Sequence, residues 1–108
     1  MTQLTTAAAL DTVTELLLGE DSIPVQLRMR DGLHQERFER LVAAIEHLIE
    51  AHREQDSVPK ALALAFVDVG NAFFYPEGTY PEVELERIED AGIRLGELAS
   101  ELFGSSSR

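Results

Sequence analysis

The longest predominantly apolar run in the chain is PKALALAFVDVGNAFFY, residues 59–75. With the 3.6-residue period of an α-helix, two neighbouring stripes of this run are apolar, and polar atoms are confined to the remaining face, which carries Asp68 and Asn71. A helix that is apolar on two faces has to be covered on both. The run therefore predicts one continuous central helix in a small bundle.

Three triplets of a hydroxyl residue, an apolar residue and a proline predict where helices begin. The hydroxyl can accept a hydrogen bond from an unpaired backbone N–H of the first turn, and proline lacks an N–H that this turn would leave unpaired. The triplets are Ser22-Ile23-Pro24, Ser57-Val58-Pro59 and Thr79-Tyr80-Pro81. In the third triplet, Glu82 follows Thr79 by three residues, which predicts a capping box.

Apolar residues at steps of three and four predict the other helices. These helices run over about residues 5–18, 33–53 and 81–103. Gly19 is expected in the left-handed conformation after the first helix, and Gly104 closes the last. Residues 23–30 alternate apolar and polar side chains, which indicates an edge strand, whereas the start Ser22-Ile23-Pro24 indicates a short helix. A lone strand has no evident partner here, so we expect a short helix or an extended linker.

Two glycines interrupt the last predicted helix, where each costs about 1 kcal/mol relative to alanine. Gly92 and Gly96 are four residues apart and therefore share one side of the helix. This spacing predicts that a bulky neighbour, Phe66 or Phe73, needs the room.

These features predict an all-α fold. We expect a compact, antiparallel bundle of four main helices, with a short helix or extended linker between the first two. At 108 residues the chain is long enough to bury one hydrophobic core. We expect a single helical-bundle domain over residues 1–103 and a disordered polar tail over residues 104–108.

The chain is strongly acidic, with 20 Asp and Glu against 9 Lys and Arg and a formal net charge of −11. Such a charge repels nucleic acid phosphates and anionic lipid headgroups, so we expect a basic protein partner and no nucleic acid or membrane partner. No cysteine is present, which excludes disulfides and thiolate metal sites. Residues 1–15 do not have the pattern of a signal peptide, and residues 59–75 are short for a membrane span, so we expect a cytoplasmic protein.

Residues that would carry catalysis or bind a metal are sparse. His47 and His52 are five apart and point in different directions on a helix, and no second helix completes a carboxylate–histidine metal set. The hydroxyl residues lie outside any motif that would activate them, and the glycines are too dispersed for a phosphate-binding loop. We therefore expect no catalytic residue, no metal and no cofactor. Asp68 and Asn71 form a possible interior polar site: either they contact a ligand inside the bundle, or they face solvent or bond a neighbouring helix.

The acidic side of the last predicted helix is the largest charge feature of the sequence, and aromatic residues come just before it. Aromatic side chains contribute contact energy to a protein interface, and acids contribute speed and orientation of association with a basic partner. The alternative is that the charges only keep the helix soluble. The predicted partner-binding residues are Phe74, Tyr75, Glu77, Tyr80, Glu82, Glu86, Glu89 and Asp90.

The turn FFYPEG, residues 73–78, resembles the aromatic–aromatic–proline turn of the small immunity proteins that neutralise colicin-type nucleases. Those are acidic helical proteins of similar size, in which that turn and an acidic helix contact the basic toxin. The resemblance implies that Phe74, Tyr75 and Glu77 anchor a partner. It covers only this turn, and the predicted third helix is longer here than in that family.

A second resemblance is to all-α nucleotide pyrophosphohydrolases of the MazG type, which hold magnesium through Glu pairs on one helix and a Glu-x-x-Asp on another. It implies metal ligands at Glu36, Glu39 and Asp68. The chain departs from that pattern at Ala65, where the family has a metal-binding Glu, and it lacks the doubled Glu before the first pair. Magnesium needs several oxygen ligands, and with alanine at position 65 one of those ligands is missing.

The leading interpretation is a small acidic protein-binding module, most specifically an immunity- or antitoxin-like inhibitor of a basic partner protein. The alternatives are a magnesium-dependent enzyme of the pyrophosphohydrolase kind and a homo-oligomeric structural protein that uses its first or last helix as the interface. We expect a monomer or a homodimer.

Overall fold

A computed structural model describes residues 4–55, 57–67 and 69–104 of the chain. These residues form six α-helices and no strand: α1 Thr6–Leu18, α2 Ile23–Arg28, α3 Gln35–Ala51, α4 Lys60–Ala65, α5 Val69–Ala72 and α6 Glu82–Phe103. The all-α prediction is confirmed, and of the helix, strand and linker alternatives for residues 23–30 the short helix is correct, over Ile23–Arg28. The antiparallel arrangement of four main helices stays a prediction.

The core lies where the helices meet along their apolar stripes. α1 packs chiefly against α3 and also touches α2 and α4, while α6 packs against α3 and α5. Leu41 and Ile45 of α3, like Ile88 and Leu95 of α6, are completely buried at steps of four and seven residues. Burial of each such side chain contributes about 1.5–3 kcal/mol. The long helices are therefore held by tertiary packing of one face each.

The central stretch forms two short helices, so the prediction of one continuous helix was wrong. At the end of α4 the N–H groups of Phe66 and Val67 donate to the carbonyls of Ala63 and Leu64, at 3.1 and 3.3 Å. These three-residue steps tighten the last turn and end the helix. The sequence VDVG over residues 67–70 has low helix propensity throughout, because it contains two β-branched residues, an Asp and a Gly.

The same stretch is not covered on both of its apolar faces, which corrects the second part of that prediction. Leu62 is completely buried and Phe73 is 1% exposed, whereas Val67 and Phe74 of the second apolar stripe are 69% and 72% exposed. Asn71, on the predicted polar face, is exposed. Asp68, its predicted companion, lies outside the described residues, as do residues 105–108 of the predicted tail.

Ser22 caps α2 as its triplet predicts. Its hydroxyl oxygen accepts a hydrogen bond from the N–H of Val25 at 3.3 Å, and Pro24 occupies the second position of the helix. Thr5 caps α1 in the same way, because its hydroxyl oxygen accepts from the N–H of Ala8 at 3.0 Å. Both caps satisfy an N–H that the first turn leaves unpaired.

The other two predicted caps were wrong. α4 and α6 begin directly after Pro59 and Pro81, and neither helix start has a side-chain capping bond. The proline itself occupies the capping position in both helices, which leaves Ser57 and Thr79 too far back to reach the first turn. The capping box between Thr79 and Glu82 is therefore not formed.

Gly19 follows α1 with extended backbone angles, φ −70° and ψ 174°, so the prediction of a left-handed residue there was wrong. A glycine is needed for a different reason. A Cβ atom at this position would lie 2.5 Å from the carbonyl oxygen of Glu15. The close approach of two backbone segments, and not the sign of φ, selects glycine.

Gly92 makes room for Phe73, which confirms the predicted role for one of the two glycines. A Cβ atom on Gly92 would lie 2.7 Å from the Cβ atom of Phe73. Gly96 has no such neighbour, because its Cβ atom would meet none of the described atoms within 4 Å. The prediction was therefore correct for Gly92 and wrong for Gly96.

Candidate partner-binding surface

The outer face of α6 carries the acids that stand out in the sequence. The opposite side of this helix, with Ile88, Leu95 and Leu102 at steps of seven, is buried in the core. The exposed acids on the outer face are Glu82, Glu86, Glu89 and Asp90. Within residues 4–55, 57–67 and 69–104, none of the four forms an ion pair. Their charges are therefore left to solvent or to a partner.

The two arginines of α6 lie on the side that meets α3. Arg94 pairs with Glu46 of α3 at 3.1 Å and lies 3.7 Å from Glu97. Arg87 reaches the start of α3, where it donates to the side-chain oxygen of Gln35 at 3.2 Å. The cations of α6 thus serve contacts within the fold, which separates them from the acids on the outer face.

Glu84 belongs to the fold and not to the acidic outer face. One of its carboxylate oxygens accepts a hydrogen bond from the N–H of Leu33 at 3.0 Å, and the other pairs with Arg87. The hydrogen bond from Leu33, supported by the guanidinium of Arg87, lowers the pKa of the Glu84 carboxyl. This contact fixes the start of α6 to the connection between α2 and α3.

An apolar pocket of about 190 Å³ lies beside the acidic face. Phe73, Phe74, Glu89, Gly92 and Ile93 line it. Phe74 is 72% exposed and Ile93 is 62% exposed, so two large apolar side chains are exposed to solvent at a pocket that Glu89 also lines. The structure thus brings together two of the predicted partner-binding residues, Phe74 and Glu89.

Sequence reasoning missed the apolar residues of α6 that share this face. Ile93 lines the pocket, and Val83 near the start of the helix is 72% exposed. Both fall outside the apolar seam that packs on α3, among acids that the helix directs to solvent. An apolar residue outside the buried seam is the sequence signal that could have identified Val83 and Ile93 as surface residues.

Tyr75 points away from this pocket although it follows Phe74 directly in the chain. It lines a separate cavity of about 330 Å³ with Arg28, Asn71 and Ala72. Burial of its hydroxyl raises the pKa of Tyr75, the neighbouring Tyr80 adds to the increase, and Arg28 opposes it. Phe74 and Tyr75 therefore do not form one aromatic anchor.

Tyr80 is a structural residue of the connection before α6. Its hydroxyl donates to the carbonyl of Leu27 at 2.7 Å and accepts from the N–H of Gly32 at 3.3 Å. Its ring meets the ring of Tyr75 edge-on, with centroids 5.9 Å apart. Glu77 is exposed in the turn that Gly78 closes with a φ of 95°. Among the predicted partner-binding residues, Tyr80 is thus one whose polar group is bonded within the fold.

The residues that the pyrophosphohydrolase resemblance implies lie on α3 and beyond it. Glu36 and Glu39 are exposed, and Asp68 lies outside the described residues. In the part of the chain that the structure describes, no group of three or more His, Cys, Asp and Glu side chains is placed to hold a metal ion. No described helix combines the length and apolar character needed to cross a membrane.

Comparisons with protein-family models, with curated proteins and with solved structures find no match to this chain.

Proposed function

We propose that this chain is a small acidic protein-binding module and, most specifically, an immunity- or antitoxin-like inhibitor that binds a basic protein through the outer face of α6. The observation that carries the proposal is the pairing of the exposed apolar pocket at Phe74 and Ile93 with acids that no described cation neutralises. We also propose that the helices form an antiparallel bundle, on which α6 is the docking helix.

The apolar pocket would supply the contact energy. Phe74 and Ile93 lose their hydration when a partner side chain covers them, and aromatic residues at the centre of an interface contribute strongly to affinity. A pocket floored by the buried Phe73 fits the apolar stem of a partner's Lys or Arg, whose charged end would reach Glu89. A cation over the ring of Phe74 would add to this contact.

The acids would supply the rate and the orientation of binding. A surface of one sign steers a partner of the opposite sign and raises the association rate, and salt weakens this effect. Because Arg87 and Arg94 are engaged on the α3 side, the outer face presents its negative charge without a described cation. A basic partner would therefore approach α6 in preference to the rest of the molecule.

Capture from native lysate at low and at moderate salt tests the proposal, with each captured protein identified and then purified. We expect a basic protein whose capture falls with salt and whose own activity is inhibited by the chain at equal molar amounts. A triple variant, Glu86→Gln, Glu89→Gln and Asp90→Asn, should lose most of this binding, and so should Phe74→Ala.

A control of equal charge separates local contacts from net charge. The variant Asp11→Asn, Glu15→Gln and Glu20→Gln removes three exposed acids elsewhere, so both triple variants carry −11 + 3 = −8. Leu64→Ala is the matched control for Phe74→Ala, because it shortens another exposed apolar side chain that lies outside the proposed surface. An acidic partner, binding that ignores salt, or equal losses in the two triple variants would contradict the proposal.

A further inference from the structure

A second exposed apolar surface lies away from the outer face of α6. The end of α1, the helix α2 and the broken central stretch enclose a groove of about 270 Å³. Leu18, Leu64 and Val67 are large apolar side chains at this groove, and they are 50%, 64% and 69% exposed. Both short helices of the central stretch, α4 and α5, contribute residues to its lining.

The groove continues into a polar end. The cavity that holds Tyr75 shares Arg28 and Ala72 with the groove, so the two spaces adjoin. At this end Arg28 supplies a guanidinium, Asn71 an amide and Tyr75 a hydroxyl. The position of the tyrosine ring is fixed by its edge-on contact with Tyr80, which is itself bonded to the backbone of Leu27.

The described lining of the groove and of the adjoining cavity differs in charge from the molecule as a whole. The chain contains 20 acids and only 9 Lys and Arg, yet none of the described residues that line the groove or the adjoining cavity is acidic. Among the described residues that line the two spaces, Arg28 is the one that carries a charge. A ligand held here must therefore be apolar along most of its length and must tolerate or need a cation at one end.

We propose that this groove binds an amphiphilic monocarboxylate, a molecule with an unbranched apolar chain that ends in one carboxylate. The chain would lie along Leu18, Leu64 and Val67, and the carboxylate would meet Arg28 and the hydroxyl of Tyr75. An arginine guanidinium matches a carboxylate in shape and can bind it with two parallel hydrogen bonds. A cationic or uncharged end group would lose these bonds.

Titration with octanoate, followed by the amide chemical shifts of the isotope-labelled chain, tests this proposal, with 1-octanol as the probe of equal chain length. Saturable shifts are expected for residues of the groove. Octanol should bind at the same place about tenfold more weakly, since a hydrogen bond to a charged group contributes about that much to an equilibrium constant. Equal affinity for the two probes, or the absence of saturable shifts at the groove, would overturn the proposal.

Matched variants separate the two ends of the groove. Arg28→Gln should weaken octanoate about tenfold and leave octanol unchanged, whereas Arg40→Gln, an exposed arginine that lines neither space, should leave both unchanged. Leu64→Ser should weaken both probes, and Met29→Ser, which changes an exposed apolar side chain that lines neither space, should weaken neither. If Arg40→Gln weakens octanoate as much as Arg28→Gln does, the carboxylate is held by general charge and the proposed site is wrong.

Discussion

Replacement of the two glycines of α6 by alanine should change the stability of the protein by different amounts, with a gain at Gly96 and no gain at Gly92. Both residues lie inside one helix, four positions apart, and both have helical backbone that alanine adopts without strain. The gain in helix propensity is therefore the same for each, about 1 kcal/mol. Only the surroundings of the added methyl group differ.

At Gly96 the methyl group would meet none of the described atoms within 4 Å, so Gly96→Ala should stabilise the protein by the full gain of about 1 kcal/mol. At Gly92 it would lie 2.7 Å from the Cβ atom of Phe73, about 1 Å closer than carbon atoms pack comfortably. That Cβ atom is fixed to the backbone and cannot rotate away, and the ring beyond it is 1% exposed.

The backbone after α5 must therefore move, and overpacking of this kind costs about 1–3 kcal/mol. After the gain in propensity, Gly92→Ala should be neutral or destabilising by up to about 2 kcal/mol, and the two variants should differ by about 1–3 kcal/mol. Urea unfolding followed by far-ultraviolet circular dichroism measures both, with an unchanged slope as the sign that only stability has changed. If Gly92→Ala is as stable as Gly96→Ala, the contact between α6 and Phe73 is not the reason for the glycine.

Three further changes test the contacts that hold the start of α6 and of α1. Tyr80→Phe should destabilise the protein by about 1–3 kcal/mol in urea unfolding, because the carbonyl of Leu27 loses its donor; an unchanged midpoint would show that water replaces the hydroxyl. The lowered pKa of Glu84 means that its ionised form favours the folded state, so its contribution is complete above the ordinary carboxyl pKa of 4.5 and is lost as the pH falls through the lowered value. Glu84→Gln should flatten this part of the pH dependence of the free energy of unfolding. If the profile is unchanged, the pH dependence arises from other acids and the prediction is wrong. Thr5→Ala should cost about 1 kcal/mol through the lost cap of α1, measured by thermal unfolding against the wild-type chain, and a cost near zero would contradict the capping bond.

The features predicted correctly from the sequence depend on neighbours along the chain. The apolar stripes of α1, α3 and α6 repeat at helical steps, and Ser22 precedes its helix by one residue, so short-range geometry suffices to place them. The acids of α6 are on the side opposite its seam for the same reason. Helix type, approximate bounds and the anionic outer face therefore follow from local order.

The predictions that failed depend on contacts between distant parts of the chain or on competition between nearly equal local choices. Val67 and Phe74 belong to a stripe that was expected to be covered, but they are 69% and 72% exposed in a stretch that forms two short helices instead of one. Tyr75 and Phe74 are neighbours in the sequence, and packing against Tyr80 directs one of them to a different cavity from the other. No pattern of spacing contains that information, because the position of Tyr80 itself depends on the hydrogen bond of its hydroxyl to the carbonyl of Leu27 in α2.

The sequence by itself determined that this chain is helical and that one face of its last helix is acidic. These properties are periodic or compositional, so they are present in the order of the residues. Only the tertiary structure decided that Ile93 and Phe74 share a pocket with Glu89 and that Arg28 lies at the end of an apolar groove. The physical reason is that burial is a property of the packed chain: the same apolar residue is core or surface according to which helix reaches it.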